Sequence, residues 1–313
     1  MTTLLLRRLL ALPLVFVAGA VLVFLLPRLS GQDTALGILR SRTGEADPDP
    51  AVLAALREEY ALDGGWWDQF TAWFGALLGG DLGISYASRT PVSGLLWPAL
   101  GVSLVLTVAA LVVAGLVGVP AGVRAARRPG GRFDRMLTSG SVLGVAVPEF
   151  VLGTVLVLVF AVVIPLLPAT GWGSPAQAVL PVLTLAAFPA ALSAQLVRAE
   201  TVDVLGRTHV TVARAKGLPD RVVLWRHGGR LALTSVASMS GLFLGGLLGG
   251  SVVVEVLFSV PGVGRLLYDA VLGQDLPVTQ AGLLAIIVLA SVAGIVAELL
   301  ALALDPVARS AVR

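Results

Sequence analysis

The 313 residues contain no cysteine, two histidines, one lysine and only 13% charged side chains. Each scarcity removes a class of protein. Without cysteine there is no disulfide framework, iron–sulfur cluster or thiolate metal site. Soluble domains carry roughly 25% charged residues, so a chain with about half of that cannot solvate a folded exterior. Soluble enzymes, nucleic-acid binders and disordered scaffolds are thereby excluded. A phosphate-binding loop needs Gly-Lys-Ser/Thr, but the one lysine, Lys216, lies between Ala215 and Gly217, so nucleotide must be handled elsewhere. His209 and His227, without cysteine or an acidic cluster beside them, make a poor metal site, and no metal or other cofactor is expected in this chain.

What is present is apolar: 57% hydrophobic residues, with a mean hydropathy of +0.92. A bilayer core needs about 20 apolar residues per helix. The long uncharged runs, divided at their proline and glycine clusters, predict an all-α membrane protein of six helices at roughly 9–28, 99–123, 136–164, 177–197, 231–256 and 280–303. Of the 22 basic residues, 16 then fall on one side: Arg7, Arg8, Arg124, Arg127, Arg128, Arg132, Arg135, Arg198, Arg207, Arg214, Lys216, Arg221, Arg226, Arg230, Arg309 and Arg313. The positive-inside rule puts that side, and both termini, in the cytoplasm. Arg7–Arg8 before an apolar stretch also resembles a signal peptide, but no small-x-small cleavage pair is clear after Pro27, and a retained helix is expected. The chain then divides into residues 1–28, an extracytoplasmic segment 29–98, a five-helix membrane core 99–304 with a basic loop 198–230, and a tail 305–313.

The extracytoplasmic segment holds nine of the 19 acids, Asp33 through Asp81. Pro50 suits the first turn of a helix over Ala51–Tyr60. Trp66, Trp67, Phe70, Trp73 and Phe74 recur at helical spacing and predict a second helix with one aromatic face, an interfacial anchor or the docking face for an external partner protein.

The most informative stretch is the loop between the fourth and fifth spans. Its run to Lys216 suits a helix, Gly217 is a natural left-handed stop, and Pro219-Asp220 restarts a helix over Arg221–Arg230. Two short helices capped by glycine make a rigid knob, although a basic lipid-associated hairpin would look similar.

Here the sequence resembles a known family, the permease subunits of bacterial ABC importers of the DppB/OppB type, which move dipeptides, oligopeptides or nickel and metal chelates. Thr211-Val-Ala213-Arg214-Ala215-Lys216-Gly217 sits on the family's inner-loop signature. Gly79-Gly-Asp-Leu-Gly-Ile-Ser85, Pro148-x-Phe150-x-x-Gly153, Leu167-Pro-x-x-Gly171, Gly249-Gly250-Ser-Val-Val-Val-Glu255-x-x-Phe258-x-x-Pro261-Gly262-Val-Gly264 and Asp305-Pro-x-x-Arg309 follow in the family's order. Two places depart from it: Gly228-Gly229-Arg230-Leu231, where the pattern is Ala-Leu-Arg-Asn, and Ser30-Gly-Gln-Asp-Thr34, where Pro-Gly-Asp-Pro is usual.

The resemblance implies the type I importer fold in a bacterial inner membrane. It implies a second homologous permease, two ATPase subunits carrying ATP and Mg, an extracytoplasmic solute-binding protein, surrounding lipid and no nucleic acid. It makes Thr211, Ala213, Arg214, Ala215, Lys216, Gly217 and Arg221 the segment that couples to the ATPase. Pro148, Glu149, Phe150, Gly249 and Gly250 are candidates for the translocation path, and Glu255, Pro261, Gly262 and Gly264 for its outer mouth. An intramembrane carboxylate such as Glu149 must face protein or water, so it either lines the path or bonds backbone freed by Pro148. Glu298 reads as a structural contact near the inner surface. Gly245, Gly246, Gly249 and Gly250 suit close helix approach, towards the sister permease, the pore or a neighbouring helix. The alternative to an ATP-driven importer is a secondary transporter or channel working without ATP. An intramembrane hydrolase needs a nucleophile and base at membrane depth, whereas both histidines lie in the basic loop.

Overall fold

The computed structural model describes residues 2–29, 34–43, 49–59, 64–225 and 230–304. Over these residues the chain is α-helical, with one isolated antiparallel bridge between Ile84 and Pro91. Helix α1 (Thr2–Leu29) carries the first apolar run. Two short helices follow, α2 (Thr34–Thr43), which the sequence pattern does not announce, and α3 (Pro50–Glu59), with Pro50 in its first turn. Ala35, Ile38, Leu39 and Leu56 give this pair a small core of its own.

The aromatic helix α4 (Trp66–Leu78) divides its aromatics. Phe70, Trp73 and Phe74 pack onto α1 with ring centroids 5.1–6.1 Å from Phe24 and Phe16, while Trp66 and Trp67 remain exposed.

The long helices are α5 (Val92–Ala126), α8 (Pro175–Leu205) and α14 (Leu276–Leu304); each is long and apolar enough to cross a membrane. Between α5 and α8 lie α6 (Arg132–Ala146) and α7 (Glu149–Val157), which ends in a π-helical turn, Leu158–Val163. Counted together, α6 and α7 make a fourth candidate span, broken by a 103° bend. After α8 come α9 (Thr208–Ala215), α10 (Asp220–Val223), α11 (Arg230–Gly250), α12 (Val252–Leu257) and α13 (Val263–Leu272). Apolar stretches of α1 and α11, Leu10–Leu25 and Ser235–Gly250, are shorter than a full span.

Several boundaries differ from those the sequence suggests, and the differences have causes. α5 begins at Val92 rather than near Ala99, carrying Pro98 inside it as the seventh residue at the loss of one ladder hydrogen bond. α8 begins at Pro175, where Ser174 and Gln177 form a capping box, and runs on to Leu205. α14 begins at Leu276 because Thr279 donates through its N–H (3.0 Å) and its hydroxyl (2.8 Å) to the Asp275 carbonyl. The helix on the fifth apolar run, α11, ends at Gly250 rather than near 256, with Ser251 separating it from α12.

Lipid tails are as apolar as leucine, so helices in a membrane associate by close packing, and small residues mark the contacts. α5 meets α8 at Gly118 and Gly122, where a Cβ would lie 2.8 Å from the Ala190 carbonyl oxygen and 2.5 Å from that of Ala194. α11 meets α14 at Gly241 and Gly245, facing Ala293, Ala297 and Ala290. Leu106, Ala110, Leu180, Leu185, Leu247 and Phe258 form the main core among α5, α8, α11 and the segment after α12.

Candidate functional site

One end of the bundle is basic, where α5 runs into Arg124–Arg135 and α8 into Arg198–Arg230; the other carries the acid-rich segment before α5. At the basic end stands the helical knob. α9 closes at Ala215, and Gly217 adopts φ +79°, a left-handed conformation that costs a side-chain-bearing residue about 1–2 kcal/mol. The chain then turns at Pro219, whose carbonyl accepts the N–H groups of Val222 and Val223 to start α10. The knob is bolted to the bundle from inside. Val210 and Val223 are buried against Val204, and Leu224 packs with Val119 and Val123 of α5 and Val197 of α8.

Its tip is bare. Thr211, Val212, Ala215, Lys216, Gly217 and Leu218 are all exposed. The side chains of Ala213, Arg214 and Arg221 lie outside the described ones, as do residues Arg226–Gly229, including His227. The helix expected over Arg221–Arg230 is seen only in its first residues.

Beside the knob, Asp134 of α6 is buried and receives both arms of the Arg198 guanidinium, Nε and Nη2, the latter at 2.7 Å, together with the Gly130 N–H at 2.8 Å. The pair locks α6 to α8 beside the knob. Asp134→Asn keeps the shape and removes the charge. It should lower stability by about 1–3 kcal/mol, seen as a lower thermal midpoint of the detergent-solubilised protein at pH 7. Equal midpoints for variant and parent would show the pair to be inert.

The third span is not one helix over 136–164. α6 stops at Ala146; Val147 is extended (ψ 122°), as a residue before proline prefers, and α7 restarts at Glu149 with Pro148 as its N-cap. Glu149 is therefore the first residue of a helix rather than a mid-helix residue. Depth can be bracketed along α8. Gly144 packs against Ala191, and Gly153 packs against Thr184, Leu257 and Phe258. The stretch between Thr184 and Ala191 is centred about 12 residues, or roughly 18 Å, from Pro175 and about 16 Å from Arg198. The break thus lies about midway along the part of α8 between Pro175 and Arg198. Val145, Val147 and Phe150 around it are exposed on the isolated chain.

At the acidic end Glu255 is wholly buried. Its carboxylate accepts the hydroxyls of Ser103 (2.6 Å) and Ser251 (2.8 Å) and the Arg265 N–H (3.0 Å), while Ser103 Oγ accepts the Val263 N–H (2.8 Å). A buried carboxylate needs such donors. They explain the glycines that follow Pro261: a Cβ on Gly262 would lie 2.4 Å from Glu255 Cδ, and one on Gly264 2.9 Å from Oε2. The same end is clamped by Asp275, which accepts the Ser85 hydroxyl (2.5 Å) and the Tyr86 (3.1 Å) and Ala87 (3.3 Å) N–H groups. The Gly79–Ser85 signature is thereby fixed to the start of α14. Sequence patterns missed Ser103 and the role of Asp275, since their partners lie 152 and 190 residues away; the only available signal was a hydroxyl or acid adjoining an apolar run.

The glycines of α11 separate. Gly245 packs against Ala290 within the chain, whereas Gly246, Gly249 and Gly250 face open space, with nothing within 4 Å of a Cβ. Glu298 faces a groove between α1 and α14 lined by Ala11, Leu12, Val15, Ser291 and Gly294.

The chain thus carries a helical knob at its basic end and a helix broken beside Pro148, both joined to long apolar helices. Residues 118–310 match the family described as "Binding-protein-dependent transport system inner membrane component", and the chain belongs to that family, the inner-membrane permeases of ABC importers. It is 38% identical over 97% of both chains to the glutathione transport system permease protein GsiC of Escherichia coli O6:H1, and 37% to that of strain K12. It is 33% identical to the dipeptide transport system permease protein DppB of Lactococcus lactis, over 82% of this chain and 85% of the relative.

Proposed function

We propose that the chain is one half of a heterodimeric, six-span importer of peptides or peptide-like solutes, with both termini and the basic end in the cytoplasm. Solute arrives from an extracytoplasmic binding protein, and two ATPase subunits, which hold ATP and Mg, power the cycle. α1, α5, the α6–α7 pair, α8, α11 and α14 supply the spans, and residues 29–98 the extracytoplasmic segment.

The observation that carries the reading is the knob. A glycine-capped tip, bare to solvent and joined through Leu224 to α5 and α8 together, is built to transmit a push from a partner to two membrane helices. Thr211 to Gly217, with Arg221, then form the coupling segment. The break at Pro148, Glu149 and Phe150 and the open Gly249–Gly250 face line the path towards the second permease. Glu255 and the Pro261–Gly264 turn shape the outer mouth. The glutathione and dipeptide specificities of the two relatives favour a short peptide substrate.

Reconstitution of the chain with its second permease, ATPases and binding protein in proteoliposomes tests this. Uptake of di- and tripeptides is expected to require ATP hydrolysis and the binding protein. Uptake by the chain alone, driven by an ion gradient, would replace the reading with a secondary transporter.

A further inference from the structure

The carboxylate of Glu149 is a chemical group that no contact within the described residues accounts for. Asp134, Glu255 and Asp275 each receive two or more donors, but among the described residues none donates to the Glu149 carboxylate. It is half-buried, close to mid-depth, at a break that turns the backbone through 103°. An unpaired carboxylate at that depth is costly against lipid and needs water or a cation. The proline gives no internal alternative. Val151 and Leu152 already donate to the Pro148 carbonyl, at 3.0 and 3.1 Å, and a carboxylate has no hydrogen to offer a freed carbonyl. Its position as the first residue of α7 favours a negative charge there. The flanking Val145, Val147 and Phe150 make the surroundings apolar, so that a cation there has no other charged partner on the neighbouring residues.

We infer that Glu149 is a specificity residue that holds a side-chain ammonium group of the solute as it passes mid-depth. The inference rests on the peptide-importer reading and narrows it: peptides with a cationic side chain are favoured over those with an anionic one.

The test uses the complete importer with its binding protein in proteoliposomes. Uptake of lysyl-alanine and alanyl-glutamate is measured for the parent, Glu149→Gln and Glu149→Asp, each normalised to occupancy of the binding protein. Glu149→Gln is expected to lower the ratio of lysyl-alanine to alanyl-glutamate uptake at least about tenfold. Glu149→Asp should restore most of it. Since the chain has no cysteine, Glu149→Cys gives a single thiol, expected to react with water-soluble methanethiosulfonate reagents and to be shielded by lysyl-alanine. An equal loss of both peptides, or a thiol that reacts with neither cationic nor anionic reagent, overturns the ammonium site while leaving the importer reading intact. Failure of the parent complex to take up any peptide with ATP overturns the substrate reading, and this assignment with it.

Discussion

Gly217→Arg is expected to abolish ATP-driven uptake while leaving the chain folded and inserted. No atom lies within 4 Å of a Cβ at this position, so an added side chain meets nothing inside the protein. The internal cost is the left-handed backbone at φ +79°, about 1–2 kcal/mol, borne by a turn far from the main core. The external cost is larger. The tip formed by Ala215, Lys216 and Gly217 offers small residues, which let a partner's surface approach the backbone, and a long cationic side chain at its apex would hold that surface away. Because Val210, Val223 and Leu224 are packed into α8 and α5, a partner that cannot seat on the tip cannot move those helices. Uptake should therefore fall by more than a hundredfold. Stimulation of the ATPases should be lost, and the amount of permease in the membrane should stay within about twofold of the parent. Gly217→Ala, with the backbone strain but no bulk, should retain measurable transport. Normal uptake by Gly217→Arg would sink the coupling role of the knob.

How much of this was legible in the sequence varied with the range of the interaction responsible. The knob was legible because its causes are local: a helix-compatible run, a glycine, and a proline two residues later. The helical class and the positions of the apolar stretches were legible for the same reason. The break in the third span was not. Six prolines lie well within the apolar runs at 13, 98, 120, 148, 181 and 189, and five of them are absorbed inside α1, α5 or α8. Only Pro148 ends a helix. Beyond it, α7 is packed through Gly153 against Leu257 and Phe258 at the far end of the chain, a contact that holds the new helix in its own direction. That contact joins residues about a hundred positions apart, and no local pattern announces it. The polar clamps were hidden likewise: Ser103 reads as a small residue in a membrane helix until Glu255 and the Val263 N–H are brought to it. Of the four α11 glycines read as suited to close approach, only Gly245 meets a neighbouring helix within the chain, and packing alone separates it from Gly246, Gly249 and Gly250.

Gly122→Leu should have the largest effect on stability. The α5–α8 contact is the most extensive helix pairing in the fold, and Gly122 lies at its narrowest point. A Cβ there would stand 2.5 Å from the Ala194 carbonyl oxygen and 2.8 Å from Val197 Cβ, closer than such atoms approach, and the oxygen belongs to helix backbone that cannot rotate aside. A leucine adds three further carbons, so the two helices must separate. Separation also opens the packing of Val119, Val123, Val197 and Leu224 through which the knob is held. In a membrane this loss has no hydrophobic compensation, because helix association depends on van der Waals fit. Overpacking commonly costs about 1–3 kcal/mol, and a clash with main chain should exceed that range. Gly115, seven residues earlier on α5, supplies the control: nothing lies within 4 Å of its Cβ position. In the detergent-solubilised isolated chain, Gly122→Leu should lower the thermal midpoint by ten degrees or more, on the order expected for such a loss in a chain of this size. Gly115→Leu should leave it within about two degrees, and equal effects at the two positions would mean that the close α5–α8 approach does not govern stability.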